Sequence, residues 1–403
     1  MNIAGHLASL VTVVTGGSLP VRLRAWDGSE AGPDDGPLLI VEGTGALRRL
    51  LWQPNELGLA QAYAAGEISV DGDLAEALRR VRGYACTRRA RVSVWHRIRA
   101  LAIVARLGAL GRRPLARRVQ PDGRLSTEFY ALLLGETMAS SCAYWTGEEP
   151  GYGLADAQRD KLDLICGKLS VEPGTRLLDV GCGWGPLTFH AAQRYGARVV
   201  AVTRSDRQHA YVSALVIARD LSHLVQVRRG GYRDIADGPY DAIATVEARE
   251  HLGAAYPAVA ARLRDLLRPG GRLLIQQMSR GPGAAGFTES FIAFDRLMQP
   301  VGETVAVLEQ AGLEVRDVHA MREHYVLTAR AWLSTLEGRW AEAVALAGEP
   351  VARIWRLYLA GGALAFAEGR TGVDQILAVR PADSGLSGMP LDRDVLAPWR
   401  EPL

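Results

Sequence analysis

Residues 177–185 read LLDVGCGWG, an apolar run that ends in an acid and passes into glycines at alternate positions. Glycine carries no Cβ, so Gly181, Gly183 and Gly185 allow a sharp turn and let a ligand come close to the backbone. Dinucleotide binders place their third glycine one residue later, in the order G-x-G-x-x-G, so this turn is not shaped for a pyrophosphate. Asp179, the last polar residue before the turn, stands where a carboxylate either caps a loop or orders the glycines. A second reactive group follows another apolar run: Glu247, Glu250 and His251. Carboxylates and an imidazole at the end of one strand can steady a cation or take up a proton. His251 is either catalytic or an orienting partner of Glu250.

These residues need elements to hold them. The pattern predicts a helix over 186–195, a strand over 198–203, a helix over 206–219 and a strand over 225–228. It then predicts a strand over 239–248, a helix over 256–267, a turn at Arg268-Pro269-Gly270-Gly271 and a strand over 272–277. Strands alternating with helices mean βαβ units and a parallel sheet. Ligands of such sheets bind beyond the carboxyl ends of the strands. That puts Thr203, Arg204 and Gln208 after the second strand, and Gly231 and Tyr232 after the third, beside the glycine turn. A helical portion over 303–366 is expected to interrupt the sheet before its last strand pair. Upstream, strands over 20–26 and 38–43, with short helices after them, suggest a small α+β unit. The loop between these strands is rich in Gly, Pro and Asp, as turns are.

The chain of 403 residues is long enough for two or three domains, and its mean hydropathy is close to zero. Its four cysteines show neither CxxC nor metal-ligand spacing, which argues against a disulfide scaffold and against a metal site. No apolar run approaches the roughly 20 residues that a membrane span requires. The opening stretch MNIAGHLASLVTVVTGG lacks a basic region and reads as a docking amphipathic helix rather than a signal peptide. Between Arg79 and Gln120 there are thirteen arginines and no aspartate or glutamate, with Trp95, Ile98, Leu101, Val104 and Leu107 among them. Such a basic amphipathic segment suits an anionic membrane surface. A solvated linker helix is the plainer reading, and nucleic acid has no accompanying motif.

Several stretches closely resemble the cyclopropane-fatty-acyl-phospholipid synthases, a family of class I S-adenosylmethionine-dependent methyltransferases. They are TMASSCAYWTG at 137–147, the glycine turn with its flanks, YDAIATVEAREHLG at 240–253, HYVLTARAW around Tyr325 and the run from Arg353 to Pro381. The resemblance covers at least residues 128–381. It implies an α/β, Rossmann-like domain with a mostly parallel seven-stranded sheet, and a smaller N-terminal α+β and helical domain that is similar to a lipid-binding unit. The expected boundaries are 1–81 for that unit, 82–123 for an arginine-rich linker and 124–403 for the methyltransferase domain, with a helical insertion at about 287–366. It also implies methylene transfer from S-adenosylmethionine to an alkene of a lipid-like acceptor, a cytoplasmic enzyme that is peripheral at the inner membrane face, and dimerisation.

Residue by residue, the resemblance assigns Asp179, Gly181, Gly183, Trp184, Gly185, Thr203, Arg204, Gln208, Gly231 and Tyr232 to the methyl donor. Gly231 replaces the usual acid, leaving Tyr232 to stack on adenine. In the family a bound bicarbonate serves as base, held by a cysteine backbone, a glutamate, a histidine and a tyrosine. Cys142, Glu250 and Tyr325 match three of these, whereas the histidine position holds Gln276, which can donate a hydrogen bond but carries no charge. Glu247 stands where the family often has glycine. Glutamine and glutamate at these two positions resemble the fatty-acid 10-methylene methyltransferases, whose cation rearranges by hydride shift to give an exocyclic methylene instead of a ring. The resemblance thus implies cyclopropanation of an unsaturated phospholipid acyl chain through a carbocation; the alternatives are a methylene- or methyl-branched product, on a fatty acyl chain or a natural-product acceptor, and a non-catalytic protein that binds S-adenosylmethionine or membranes.

Overall fold

The computed structural model describes residues 2–15, 17–52, 56–87, 102, 105, 125–248, 256–280 and 298–391. They fall into two compact units. One takes in the described part of Met1–Phe129 together with Trp332–Leu364. The other takes in the described parts of Tyr130–Ala285, Phe294–Ala331 and Ala365–Leu403.

The first unit carries a four-stranded sheet in the order β2-β1-β3-β4, made of β1 (Arg22–Arg24), β2 (Glu30–Ala31), β3 (Leu38–Val41) and β4 (Ile68–Asp71). The opening helix, Ile3–Thr15, docks Ile3, Ala4 and Leu7 against Leu23, Val41 and Leu47. Its free amides are met by side chains from a distant loop: Ile3 N donates to Asp27 Oδ2 at 3.1 Å and Ala4 N to Ser29 Oγ at 2.9 Å. The extended run expected over 20–26 is cut to three residues because Ala25 N bonds Ser29 O and closes a turn. Where only short helices were expected, Ile68–Asp71 forms β4, paired along its length with β3. Leu357 and Ala360 pack on Ala60, Tyr63 and Leu74, so part of the expected helical insertion belongs to this unit. Of the arginine-rich segment, Arg80 is held by Glu76 and Asp35. Residues 88–120, apart from 102 and 105, lie outside the described residues.

The second unit is built on a seven-stranded sheet in the order β10-β11-β9-β8-β5-β6-β7. Its strands are β5 (Arg176–Val180), β6 (Arg198–Thr203), β7 (Val225–Arg229), β8 (Tyr240–Val246), β9 (Leu267–Arg280), β10 (Glu314–Ala320) and β11 (Thr371–Val379). Strands β5 to β9 run parallel, and β11 lies antiparallel between β9 and β10. Alternate residues feed two cores, as the two-residue period of a strand demands. Leu177, Val199 and Ala242 face one layer of helices, while Leu178, Val200 and Ile243 face the other.

Two expectations about this unit need correction. The stretch 303–366 is not helical throughout, because Glu314–Ala320 forms β10. As an edge strand in which Arg316, Asp317 and His319 interrupt the apolar residues, it lacks the continuous apolar run that marks a buried strand. Strand β9 is longer than the expected 272–277, because β11 pairs with it out to Arg280 and Arg268–Gly271 becomes an irregularity within the strand.

Lys168 and Asp317 form a buried ion pair beneath β10, with Nζ and Oδ2 3.0 Å apart and side chains 3% and 8% exposed. Removing one partner strands the other charge. Asp317→Ala should cost about 3–5 kcal/mol in urea unfolding, whereas Glu314→Ala, which removes an exposed pair with Arg316, should change little.

Candidate active site

The glycine turn follows β5 directly. Gly181, Gly183 and Gly185 all have positive φ, at 77°, 57° and 86°. Two amides of the turn, Gly181 N and Cys182 N, donate to Val202 O of β6 and pin it to the sheet. The glycines answer different needs. A Cβ on Gly185 would sit 2.7 Å from the Phe189 ring, so packing demands glycine there. A Cβ on Gly183 would meet nothing within 4 Å, which leaves that face open to a ligand. Asp179 is buried and accepts a 2.7 Å hydrogen bond from Thr188 Oγ1, tying the strand end to the helix Pro186–Tyr195. Burial pushes its carboxyl up to about 6, against the opposing pull of the Thr188 hydroxyl and the Lys161 charge.

The side chains assigned to the donor are spread around this turn. Thr203 donates to Gln208 Oε1 at 2.8 Å and receives Ser205 N at 3.2 Å, so the loop after β6 is fixed. Arg204 is exposed. Trp184 is buried, with Tyr130 and Tyr211 at ring distances of 5.3 and 5.2 Å. Gly231 N is capped by Asp234 at 2.8 Å, while the Tyr232 ring is packed in the core with Val180, Val259 and Leu263. The open backbone face at Gly183 and the polar groups fixed at the end of β6 suit a nucleoside donor, whereas the Tyr232 ring, expected to stack on adenine, is buried in the core instead.

Beside the turn, several groups converge on one carboxylate. Glu247 follows β8 with φ at 51°, a left-handed conformation that costs a non-glycine residue of order 1–3 kcal/mol. Its Oε1 receives Cys142 N at 3.0 Å and Gln276 Nε2 at 2.9 Å, and its Oε2 receives the Tyr325 hydroxyl at 2.9 Å. The Tyr325 ring stacks on Phe366 at 4.2 Å, which fixes the hydroxyl. The Cys142 thiol is pushed well up by burial, so this residue serves through its backbone amide and not as a nucleophile. Glu250 and His251 lie outside the described residues.

Three of the groups that the resemblance would place around a bicarbonate are thus brought together, but they bind Glu247. With the histidine position occupied by Gln276, and these donors taken up by a side-chain carboxylate, the described residues of the site do not fit a separate bicarbonate. Among the described residues there is no cluster of three or more His, Cys, Asp or Glu that could hold a metal ion.

Lys161 escaped the sequence reading. It lies on the buried face of the helix Leu154–Leu169, in line with Gln158 and Ile165. Its Nζ donates to Ser141 Oγ at 3.0 Å, while Gln158 Nε2 donates to Ser141 O at 2.9 Å. The two side chains grip the segment that presents the Cys142 amide. A lysine recurring at helical spacing with Ala157, Leu164 and Ile165 was the available signal. Gln375 is the other residue missed: its Nε2 donates to Gln276 Oε1 at 3.0 Å.

The family model described as mycolic acid cyclopropane synthetase matches residues 112–376. A probable fatty acid methyltransferase of Mycobacterium tuberculosis is 33% identical over 434 residues, covering 98% of each chain. A tuberculostearic acid methyltransferase of the same organism is 31% identical, covering 90% of this chain and 88% of its own. Among solved structures, the mycolic acid cyclopropane synthase CmaA1 in complex with SAH and CTAB is 31% identical with a TM-score of 0.58, covering 66% of this chain and 98% of its own.

Burial lowers the Lys161 ammonium to about 8, partly offset by the nearby Glu247 charge. The unfolded chain therefore holds this proton up to about 10.5 while the folded chain releases it near 8, so stability should rise with pH across that window. Lys161→Met should flatten the rise. Urea unfolding at pH 8 and pH 10 checks this, and an equal slope in both proteins would refute it.

Proposed function

Because the chain belongs to the mycolic acid cyclopropane synthetase family, and a buried donor set holds one carboxylate beside its glycine turn, we propose that it methylates an alkene in the acyl chain of an unsaturated phospholipid. The donor is S-adenosylmethionine, the methyl donor of this methyltransferase family. Glu247 is the observation that carries the reading.

An isolated alkene has no acidic proton to remove beforehand, so the protein's first task is to orient it and keep water away. When bound, S-adenosylmethionine supplies an electrophilic methyl group, and an alkene that accepts it becomes a cation with a proton to lose. Gly183 keeps the backbone clear on the donor's side. Glu247, fixed by three hydrogen bonds, faces the cation as a pre-set negative charge that needs no reorganisation. It then takes the proton, and the electron pair of the broken C–H bond stays with carbon. If that pair closes onto the far carbon of the former alkene, a three-membered ring forms. If a hydride has first moved, so that the cation adjoins the transferred methyl group, loss of a methyl proton gives an exocyclic methylene. The relatives aligned along almost the whole chain carry the names fatty acid methyltransferase and tuberculostearic acid methyltransferase, which favours the branched product. The family description and CmaA1 favour the ring as the second reading.

Purified protein incubated with methyl-labelled S-adenosylmethionine and vesicles of dioleoylphosphatidylglycerol should incorporate label into the acyl chains, and proton NMR of the extracted esters should separate methylene from ring. Glu247→Gln should lower turnover about 100-fold or more while S-adenosylmethionine still binds. Full turnover in that variant would remove the proposed base.

The thirteen arginines between Arg79 and Gln120 support peripheral attachment to an anionic bilayer. Among the described residues no helix is long and apolar enough to cross a membrane. The protein should sediment with phosphatidylglycerol vesicles, lose that binding as salt is raised, and stay in the supernatant with phosphatidylcholine alone; equal binding to both would argue against attachment by charge.

A further inference from the structure

Gln276 has one amide and three neighbours, and their chemistry leaves it a single orientation. Glu247 Oε1 and Cys142 O accept hydrogen bonds and cannot donate them. Both lie on the nitrogen side of the amide, at 2.9 and 3.3 Å. The oxygen side is met by Gln375 Nε2 at 3.0 Å. Gln276 and Gln375 are direct cross-strand partners on β9 and β11, and both are fully buried. Gln375 Oε1 has no hydrogen-bond partner among the described residues. A buried amide with an unmet oxygen is a burden on the fold, and its one bond goes to the residue that touches Glu247.

We propose that Gln375 is a positioning residue for the methyl-transfer site: by donating to the Gln276 oxygen it keeps the Gln276 nitrogen turned towards Glu247. The proposal rests on the reading of Glu247 as the base. A turned amide would bring the Gln276 oxygen against the carboxylate, replacing an attraction by a repulsion between two acceptors.

The test uses two charged side chains of opposite hydrogen-bonding character at position 375. Gln375→Glu, assayed at a pH high enough to ionise a buried carboxyl, places an acceptor there and invites the Gln276 nitrogen away from Glu247. Gln375→Lys places a donor there and preserves the orientation, while imposing a buried charge of its own. With methyl-labelled S-adenosylmethionine and dioleoylphosphatidylglycerol vesicles, Gln375→Glu should lower kcat by about 10- to 100-fold. KM for S-adenosylmethionine should be unchanged, and Gln375→Lys should lose clearly less. Equal losses in the two variants, or wild-type kcat in Gln375→Glu, would overturn the proposal. If neither charged variant folds, Gln375→Leu decides: kcat should fall with KM held, and an unaltered kcat would overturn it. Glu247→Gln, assayed alongside, separates the two readings. Full activity there defeats the base and the lock together, whereas an inactive Glu247→Gln with an indifferent position 375 defeats the lock alone. A wild-type protein that transfers no label to these vesicles would defeat both as stated.

Discussion

A carboxylate drawn partly out of water must find donors for its oxygens, and the arrangement around the half-buried Glu247 follows from that requirement. The donors come from a loop, a strand and a helix: Cys142 N, Gln276 Nε2 and Tyr325 Oη. The backbone at Glu247 adopts a conformation that suits glycine, and glycine is common there in the family it resembles. The strain is the cost of holding a carboxylate at this place. A tethered carboxylate cannot diffuse away, and its geometry is set by folding.

The sheet makes this convergence feasible. Adjacent strands β5, β8, β9 and β11 contribute Asp179, Glu247 from just beyond its strand, Gln276 and Gln375. On the helix side, Gln158 and Lys161 hold the Ser141 backbone and hydroxyl, so the loop carrying Cys142 is braced before it meets the carboxylate. The buried polar groups thus form a layer between helix and sheet, and each connects one part of the site to another.

Much of this was legible in the sequence, for identifiable reasons. The glycine turn and the five parallel strands announce themselves because buried strands require continuous apolar runs and tight turns require glycine. Strand β10 was hidden because an edge strand with a wet face obeys neither rule. Glu247 stood out as an extra acid, yet its role depends on Cys142 and Tyr325, which lie 105 and 78 residues away. Pair relations at that range leave no local pattern. Gln375 was hidden for the same reason: a lone glutamine in an apolar strand acquires meaning only from its cross-strand neighbour. Lys161 alone could have been noticed, as a cation on the dry side of an amphipathic helix.

The position of β11 has a consequence for biogenesis. It is the last strand of the sheet in chain order, yet it is inserted between β9 and β10, which are already made when it emerges. Until Thr371–Val379 has cleared the ribosome, the nascent chain carries two unpaired strand edges, with the sticking hazard such edges bring. The strand that closes this gap also delivers Gln375, so the joining of β10 to the sheet and the completion of the polar cluster are a single event in the life of the chain.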